Sequence, residues 1–158
     1  MGFKMPPIPT LVGIVCAGVA LLFQIVGVAT PEWSVVDTIS RGLWKSCKND
    51  VCTTYSSDID FPDWFEACRA FGILGVLVLV GCLVVGILIL FMEFDKLPII
   101  ATILAFVGAF CILIEFAVYA GESGAESDQY GYSFALTIVA WILAIVAGIC
   151  FIVGKGKA

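Results

Sequence analysis

Seven cysteines and no histidine bound the chemistry open to this 158-residue chain. Without an imidazole there is no histidine acid–base pair, no Ser-His-Asp arrangement and none of the common histidine-containing zinc sites. Cys16, Cys82, Cys111 and Cys150 stand singly inside apolar runs, where a thiol behaves as a small hydrophobe. Cys47 and Cys52 lie instead in a polar stretch, RGLWKSCKNDVC at residues 41–52. Read as a β-hairpin, this stretch turns at Asn49-Asp50, two residues that tolerate positive φ. Lys48 and Val51 then flank the turn and Cys47 faces Cys52, with Cα atoms about 4.5–5.5 Å apart, which a disulfide can bridge. A metal site or redox pair is the alternative, and it lacks histidine, further thiols and a C-x-x-C spacing. Cys68 is the odd thiol of the polar region, expected unpaired at the membrane surface.

Two polar side chains, Gln24 and Glu115, interrupt apolar runs, each about five residues from the outer end of its run. A carboxyl in such a place is a functional candidate by default. With no basic residue in any run to pair with it, Glu115 is expected to be protonated and hydrogen-bonded to Gln24. Ion coupling is the competing reading, but the repeats and broken helices of transporters are not apparent. No paired-carboxylate cleft, nucleophile–base pair, phosphate loop or metal cluster can be recognised. No enzymatic activity, cofactor, metal or nucleic-acid partner is therefore expected.

The elements that must position these residues are apolar helices. The chain is 61% hydrophobic and 13% charged, against about 25% charged in an ordinary soluble domain. Four runs, about 8–29, 71–92, 97–120 and 134–154, reach the roughly 20 residues that cross a bilayer as a helix. Their lack of alternation and their length favour helices over strands, since lipid requires each backbone group to be satisfied within its segment. The first run is expected to be an uncleaved signal anchor, being longer than the usual signal-peptide core. A single four-span membrane domain follows, with the bilayer as its first partner.

The first loop spans residues 30–70 and the second spans 121–133, with only EFDK between the second and third runs. Lys and Arg number four on each side of the membrane, but Lys4, Lys96, Lys155 and Lys157 are concentrated in short segments close to span ends. That density places both termini in the cytoplasm. A disulfide-ready pair on the opposite, oxidising side agrees. The charge then divides into −6 outside, +2 inside and Glu115 within the membrane, summing to the net −5.

In the first loop, WSVVDTI at 33–39 has strand character and leads into the hairpin, giving an extracellular sheet of three or four strands. Trp33 and Trp44 suit a sheet core or an interfacial anchor, with direct partner contact as the alternative. DFPDWFEACRAFGIL at 60–74 reads as a helix start that runs into the second span, with Pro62 in the first turn and Asp60 and Asp63 at its positive end. Phe61, Trp64 and Phe65 would give that start an apolar surface at the membrane boundary, available to a partner. Arg69 is placed to reach headgroups or loop carbonyls.

Trp33, then Gly42-Leu43-Trp44, Cys47, Cys52 and Arg69 together resemble the W…GLW…C…C…R signature of the claudin, peripheral myelin protein, epithelial membrane protein and lens fibre membrane protein superfamily. The resemblance covers the whole chain, and YGYSFALTIVAWILA at 130–144 is similar to the start of the fourth span in the myelin and epithelial branch. It implies a claudin-like fold: a left-handed four-helix transmembrane bundle carrying a small extracellular antiparallel β-sheet. It also implies a plasma-membrane role in cell–cell contact, junctional barrier or membrane organisation, with self-association in the same or an opposing membrane. The short loop and cysteine spacing are closer to the lens and epithelial relatives than to typical claudins. The ending GKGKA differs from the Tyr-Val ending of many claudins, and Asn49 begins no glycosylation sequon, unlike the myelin and epithelial proteins.

Small residues recur along three spans: Gly13, Ala17, Ala20 and Gly27, with Gln24 on the same face; Ala101, Ala105 and Ala109; Ala140, Ala144 and Gly148. Such stripes let helices approach closely, either within one bundle or between copies. Glu122, Glu126 and Asp128 in the second loop are candidate partner contacts, and their charge would favour cations in any paracellular path. An auxiliary subunit of a channel or receptor is the alternative function.

Overall fold

In the computed structural model the described residues are 7–30, 33–36, 39–49, 51–54, 63–92, 96–122 and 131–157. Four helices, α1 (Ile8–Ala29), α2 (Asp63–Phe91), α3 (Leu97–Glu122) and α4 (Tyr132–Lys157), are all long and apolar enough to cross a membrane. Between α1 and α2 lie four short strands: β1 (Ser34–Val36), β2 (Ile39–Arg41), β3 (Lys45–Lys48) and β4 (Val51–Thr54). They form one antiparallel sheet in sequence order.

The helices close a ring in which α1 packs on α2 and α4, and α3 on the other sides of the same two. The inner faces are built from small residues. Gly13, Ala17, Ala20, Gln24 and Gly27 of α1 are all buried, as are Ala101, Ala105 and Ala109 of α3 and Ala140, Ala144 and Gly148 of α4. The three stripes thus serve packing within the bundle. A Cβ at Gly27 would come within 2.7 Å of Thr137 Oγ1, and one at Gly148 within 2.9 Å of the Phe106 ring. Side chains such as Val15, Leu22, Leu77, Val84, Ile103, Phe110, Ile142 and Ile149 point outwards. Small residues thus dominate the inner faces, with Leu79, Ile112 and Phe151 buried among them, and many large apolar residues face outwards, which suits a bundle whose solvent is hydrocarbon.

Helix α2 begins at Asp63, eight residues before the apolar run at 71, so the segment ahead of the run is continuous helix. Asp63 and Glu66 occupy its first turn, where carboxylates complement the positive end of the helix dipole. The extra two turns carry Phe65, Cys68 and Arg69 up beneath the sheet. Pro62, Asp60 and Phe61, placed in this start by the sequence, lie outside the described residues.

Candidate functional site

The hairpin forms with the expected register: Lys48 pairs with Val51 and Cys47 with Cys52. A disulfide joins the two cysteines, whose Cα atoms are 4.0 Å apart. Asn49 takes a positive φ of 52° in the turn, as a tight hairpin needs; Asp50 lies outside the described residues. Across the sheet the register continues, with Ser40 opposite Cys47 and Val35 opposite Ser40. The crosslink therefore staples the far half of the sheet, while β1 and β2 hold the near half to the bundle.

Trp33 makes the attachment. It is fully buried, with its indole N–H donating to Gly27 O at 2.7 Å. Its ring packs on Tyr119 at 4.9 Å and edge-on to Phe134 at 5.8 Å. The backbone is tied as well: Trp33 N–H donates to Arg41 O, and Gly131 N–H, just before α4, donates to Trp33 O. One residue thus joins α1, the sheet, α3 and the end of the second loop. Leu43 is buried in the same cluster with Phe65, Cys68 and Tyr119.

Arg69 supplies the second attachment. Its Nε donates to Leu43 O at 2.7 Å, and its guanidinium lies 4.7 Å from the Trp44 ring centre and 4.8 Å from that of Phe65. The planar cation is held between two aromatic faces while it satisfies a loop carbonyl, a geometry open to Arg and not to Lys. Gly42-Leu43-Trp44 now has a physical meaning: Leu43 fills the junction, its carbonyl receives Arg69, and Trp44 covers the cation while remaining partly exposed.

Phe65 corrects the expectation of a partner-facing surface at 61–65. It is buried, because α2 turns this side towards Leu43 and Tyr119 rather than outwards. Trp64 is half-buried against Phe65 and Tyr119. Phe61, Glu126 and Asp128 lie outside the described residues, and Glu122 closes α3. Cys68 is free but buried, not superficial, and its thiol approaches Glu115 O at 3.4 Å.

One helical turn or so deeper, Gln24 and Glu115 meet. Gln24 Nε2 donates to Glu115 Oε1 at 2.9 Å and to Gly72 O at 3.2 Å. Both residues are fully buried, and α1, α2 and α3 are joined through one amide. Gly72 makes this possible: a Cβ there would overlap Glu115 Oε2, and it would lie 3.2 Å from Val28. Gly75, one turn on, lets α3 approach closely instead: a Cβ there would lie 3.1 Å from Ile112 Cγ1. Neither glycine is distinguishable in the sequence from others in the run. Two further polar links also escape sequence reasoning. Thr30 and Ser133 join hydroxyl to hydroxyl between α1 and α4, and Thr137 donates to Ser133 O beside Gly27. Among the described residues no group of three His, Cys, Asp or Glu side chains could hold a metal.

The whole arrangement is that of a small stapled sheet seated on a four-helix membrane bundle through a buried tryptophan and a sandwiched arginine. A family model described as the PMP-22/EMP/MP20/Claudin family matches residues 9–151. The chain belongs to this family. It is 28% identical over 157 residues to epithelial membrane protein 1 of Homo sapiens, covering 93% of this chain and 98% of that one. Lens fiber membrane intrinsic protein of Rattus norvegicus is 26% identical over 153 residues, covering 88% and 87%. Epithelial membrane protein 2 of Danio rerio is 24% identical over 129 residues, covering 77% and 80%. The resemblance read from the tryptophan, the GLW triplet, the cysteine pair and Arg69 is therefore a family membership. The chain is a four-span membrane protein of a structural family.

Proposed function

We propose that this protein is a plasma-membrane component of cell–cell contacts, displaying its stapled sheet outside the cell with both termini in the cytoplasm. The observation that carries the reading is the double attachment of the sheet, by Trp33 and by Arg69, together with the Cys47–Cys52 staple. A surface fixed at two points and crosslinked at its tip loses little further conformational entropy when it meets a partner, which favours recognition over flexible display. A disulfide at that tip belongs on the oxidising side of the membrane, and the dense Lys residues at the other end belong in the cytoplasm.

Self-association in one membrane or between two is part of the proposal. The test is expression of a tagged chain in cells that form contacts, followed by imaging and by purification from the membrane. Enrichment where two expressing cells touch, compared with borders between an expressing and a non-expressing cell, is the expected result. Uniform surface distribution with a stoichiometric channel or receptor subunit in the purified material would replace this reading with that of an auxiliary subunit.

A further inference from the structure

Two buried oxygens are left over where α1, α2 and α3 meet. The Gln24 amide has two N–H groups, and both are spent, one on Glu115 Oε1 and one on Gly72 O. Among the described residues Gln24 Oε1 and Glu115 Oε2 have no hydrogen-bond partner, although both side chains are fully buried. With Glu115 ionised, both atoms would be acceptors, and Gln24 Nε2 would be the one side-chain donor to the carboxylate. A charge held so in hydrocarbon is costly. A single proton removes the conflict. Placed on Oε2 it turns that atom into a donor, and Gln24 Oε1 is the unfilled acceptor of the same pair.

The pair lies one turn below the seat of the sheet on each of three helices. On α1, Gly27 O, three residues after Gln24, accepts the Trp33 indole N–H. On α2, Cys68, four residues before Gly72, directs its thiol to Glu115 O and packs in the cluster of Trp33, Leu43 and Phe65. On α3, Tyr119, four residues after Glu115, lies against the Trp33 ring. A displacement of Glu115 therefore reaches the supports of Trp33 within one helical turn.

We propose that Gln24 and Glu115 form a proton-dependent latch for the sheet, closed while Glu115 carries a proton on Oε2 and opened when that proton is lost. Ionisation leaves the carboxylate one side-chain donor, and parting of α1 from α3 lets water solvate it. Gly27 and Tyr119 then separate, and Trp33 loses its seat. The sheet is thus held at low pH and released as pH rises. The neighbours leave Glu115 as the group that titrates. Gln24 and Val28 on α1 and Gly72 on α2 are uncharged, and α4 has no titratable side chain between Tyr132 and Cys150. Cys68 is bonded to the Glu115 backbone, Tyr119 lies against Trp33, and Arg69 is directed to Leu43 O. Replacing the carboxyl alone separates it from these three.

Full-length protein in phosphatidylcholine nanodiscs tests the latch through two readouts over a pH series. With isotope-labelled glutamate, infrared difference spectra between wild type and Glu115→Gln should show the carbonyl stretch of an undissociated acid at neutral pH. Carboxylate bands should replace it as pH rises. Trypsin cleavage within segment 33–54, taken relative to Glu115→Gln at each pH, should rise about ten-fold over the same interval, the effect of roughly one buried hydrogen bond. The glutamine keeps an N–H for Gln24 Oε1 and has no proton to lose, so its sheet should stay protected throughout. Carboxylate bands already present at neutral and acidic pH overturn the inference and assign the two oxygens to a bound water or cation. Cleavage that stays flat while the acid band disappears overturns the coupling to the sheet. An equal rise in Glu115→Gln assigns the pH dependence to another group and overturns the latch. If Glu115→Gln does not fold by circular dichroism, wild type against Cys68→Ala carries the test. The carboxyl is intact there, so the pH dependence should persist, and its loss overturns the inference.

Discussion

A methyl group on residue 72 would occupy the place of Glu115 Oε2, so the smallest possible change there tests the buried polar pair. Gly72→Ala should destabilise the bundle by about 1–3 kcal/mol, because the carboxyl must leave its position or the helices must part. Glu115→Gln retains an oxygen acceptor for the Gln24 amide with nearly the same volume, and should lie within about 1 kcal/mol of the wild type. Glu115→Leu removes the Oε1 acceptor and leaves Gln24 Nε2 with Gly72 O alone, and should cost about 1–3 kcal/mol. Unfolding in detergent, followed by loss of helical ellipticity, ranks the three. If the leucine variant is as stable as the glutamine variant, the pair contributes nothing as a hydrogen bond. The sequence made Gln24 and Glu115 visible, because polar residues stand out in apolar runs. Gly72 was not, since its meaning arises only when α2 and α3 face each other. Arg69 is a similar case: its position at the mouth of a span marked it, but the rings of Trp44 and Phe65 on either side are a product of folding. Arg69→Lys keeps the charge and loses the planar fork, and should destabilise the sheet junction by about 1 kcal/mol. Faster proteolysis of segment 33–54, with helix content unchanged, is the measurement that detects it.

The hairpin and the α1–α4 seam are separate elements, and they should respond separately. Closing a loop of this length by a crosslink contributes about 2 kcal/mol through the unfolded ensemble. Cys47→Ser with Cys52→Ser should therefore leave all four helices inserted while the sheet becomes protease-sensitive and contact enrichment falls. Unchanged surface delivery and contacts in that variant would deprive the staple of functional weight. At the seam, Gly27→Ala must displace Thr137 Oγ1 or the Ser133 carbonyl, whereas the nearest atom to a Cβ at Gly18 is 3.9 Å away. The first change should lower stability by about 1–3 kcal/mol and the second should be neutral or slightly stabilising. Equal melting temperatures for the two would contradict close packing of α1 on α4. These elements differ in how legible they were. The register and crosslink of the hairpin were read from spacing, because both are local, although the cysteine Cα atoms lie closer, at 4.0 Å, than the spacing suggested. Helix α2 was read as starting ahead of its apolar run, through the acidic residues and proline that mark a first turn. The orientation of that start was misread for Phe65: aromatic composition at a membrane boundary indicates burial in something, but lipid, partner and sheet give the same signal. The stripes of small residues located the inner faces of three helices, and only the assembled bundle chose packing within one chain.

At the scale of the molecule, everything proposed for the sheet depends on which side of the membrane it occupies, and the chain offers a direct way to ask. Asn49 is the only asparagine and sits with positive φ at the tip of the hairpin, followed by Asp50 and the exposed Val51. Val51→Thr completes an Asn-x-Thr acceptor without touching the disulfide or the buried face of the sheet. Oligosaccharide is added only to segments that enter the lumen of the secretory pathway, so the substitution converts topology into a gel shift. With the sheet outside, the variant should run as a heavier species that returns to the wild-type mobility on enzymatic deglycosylation. A tag on the carboxyl end should react with antibody only after the cells are permeabilised. An unglycosylated variant whose terminal tag is accessible on intact cells would invert the molecule. The dense Lys residues near the span ends would then have failed to set orientation, and the cysteine pair would face a reducing compartment that does not sustain a structural disulfide.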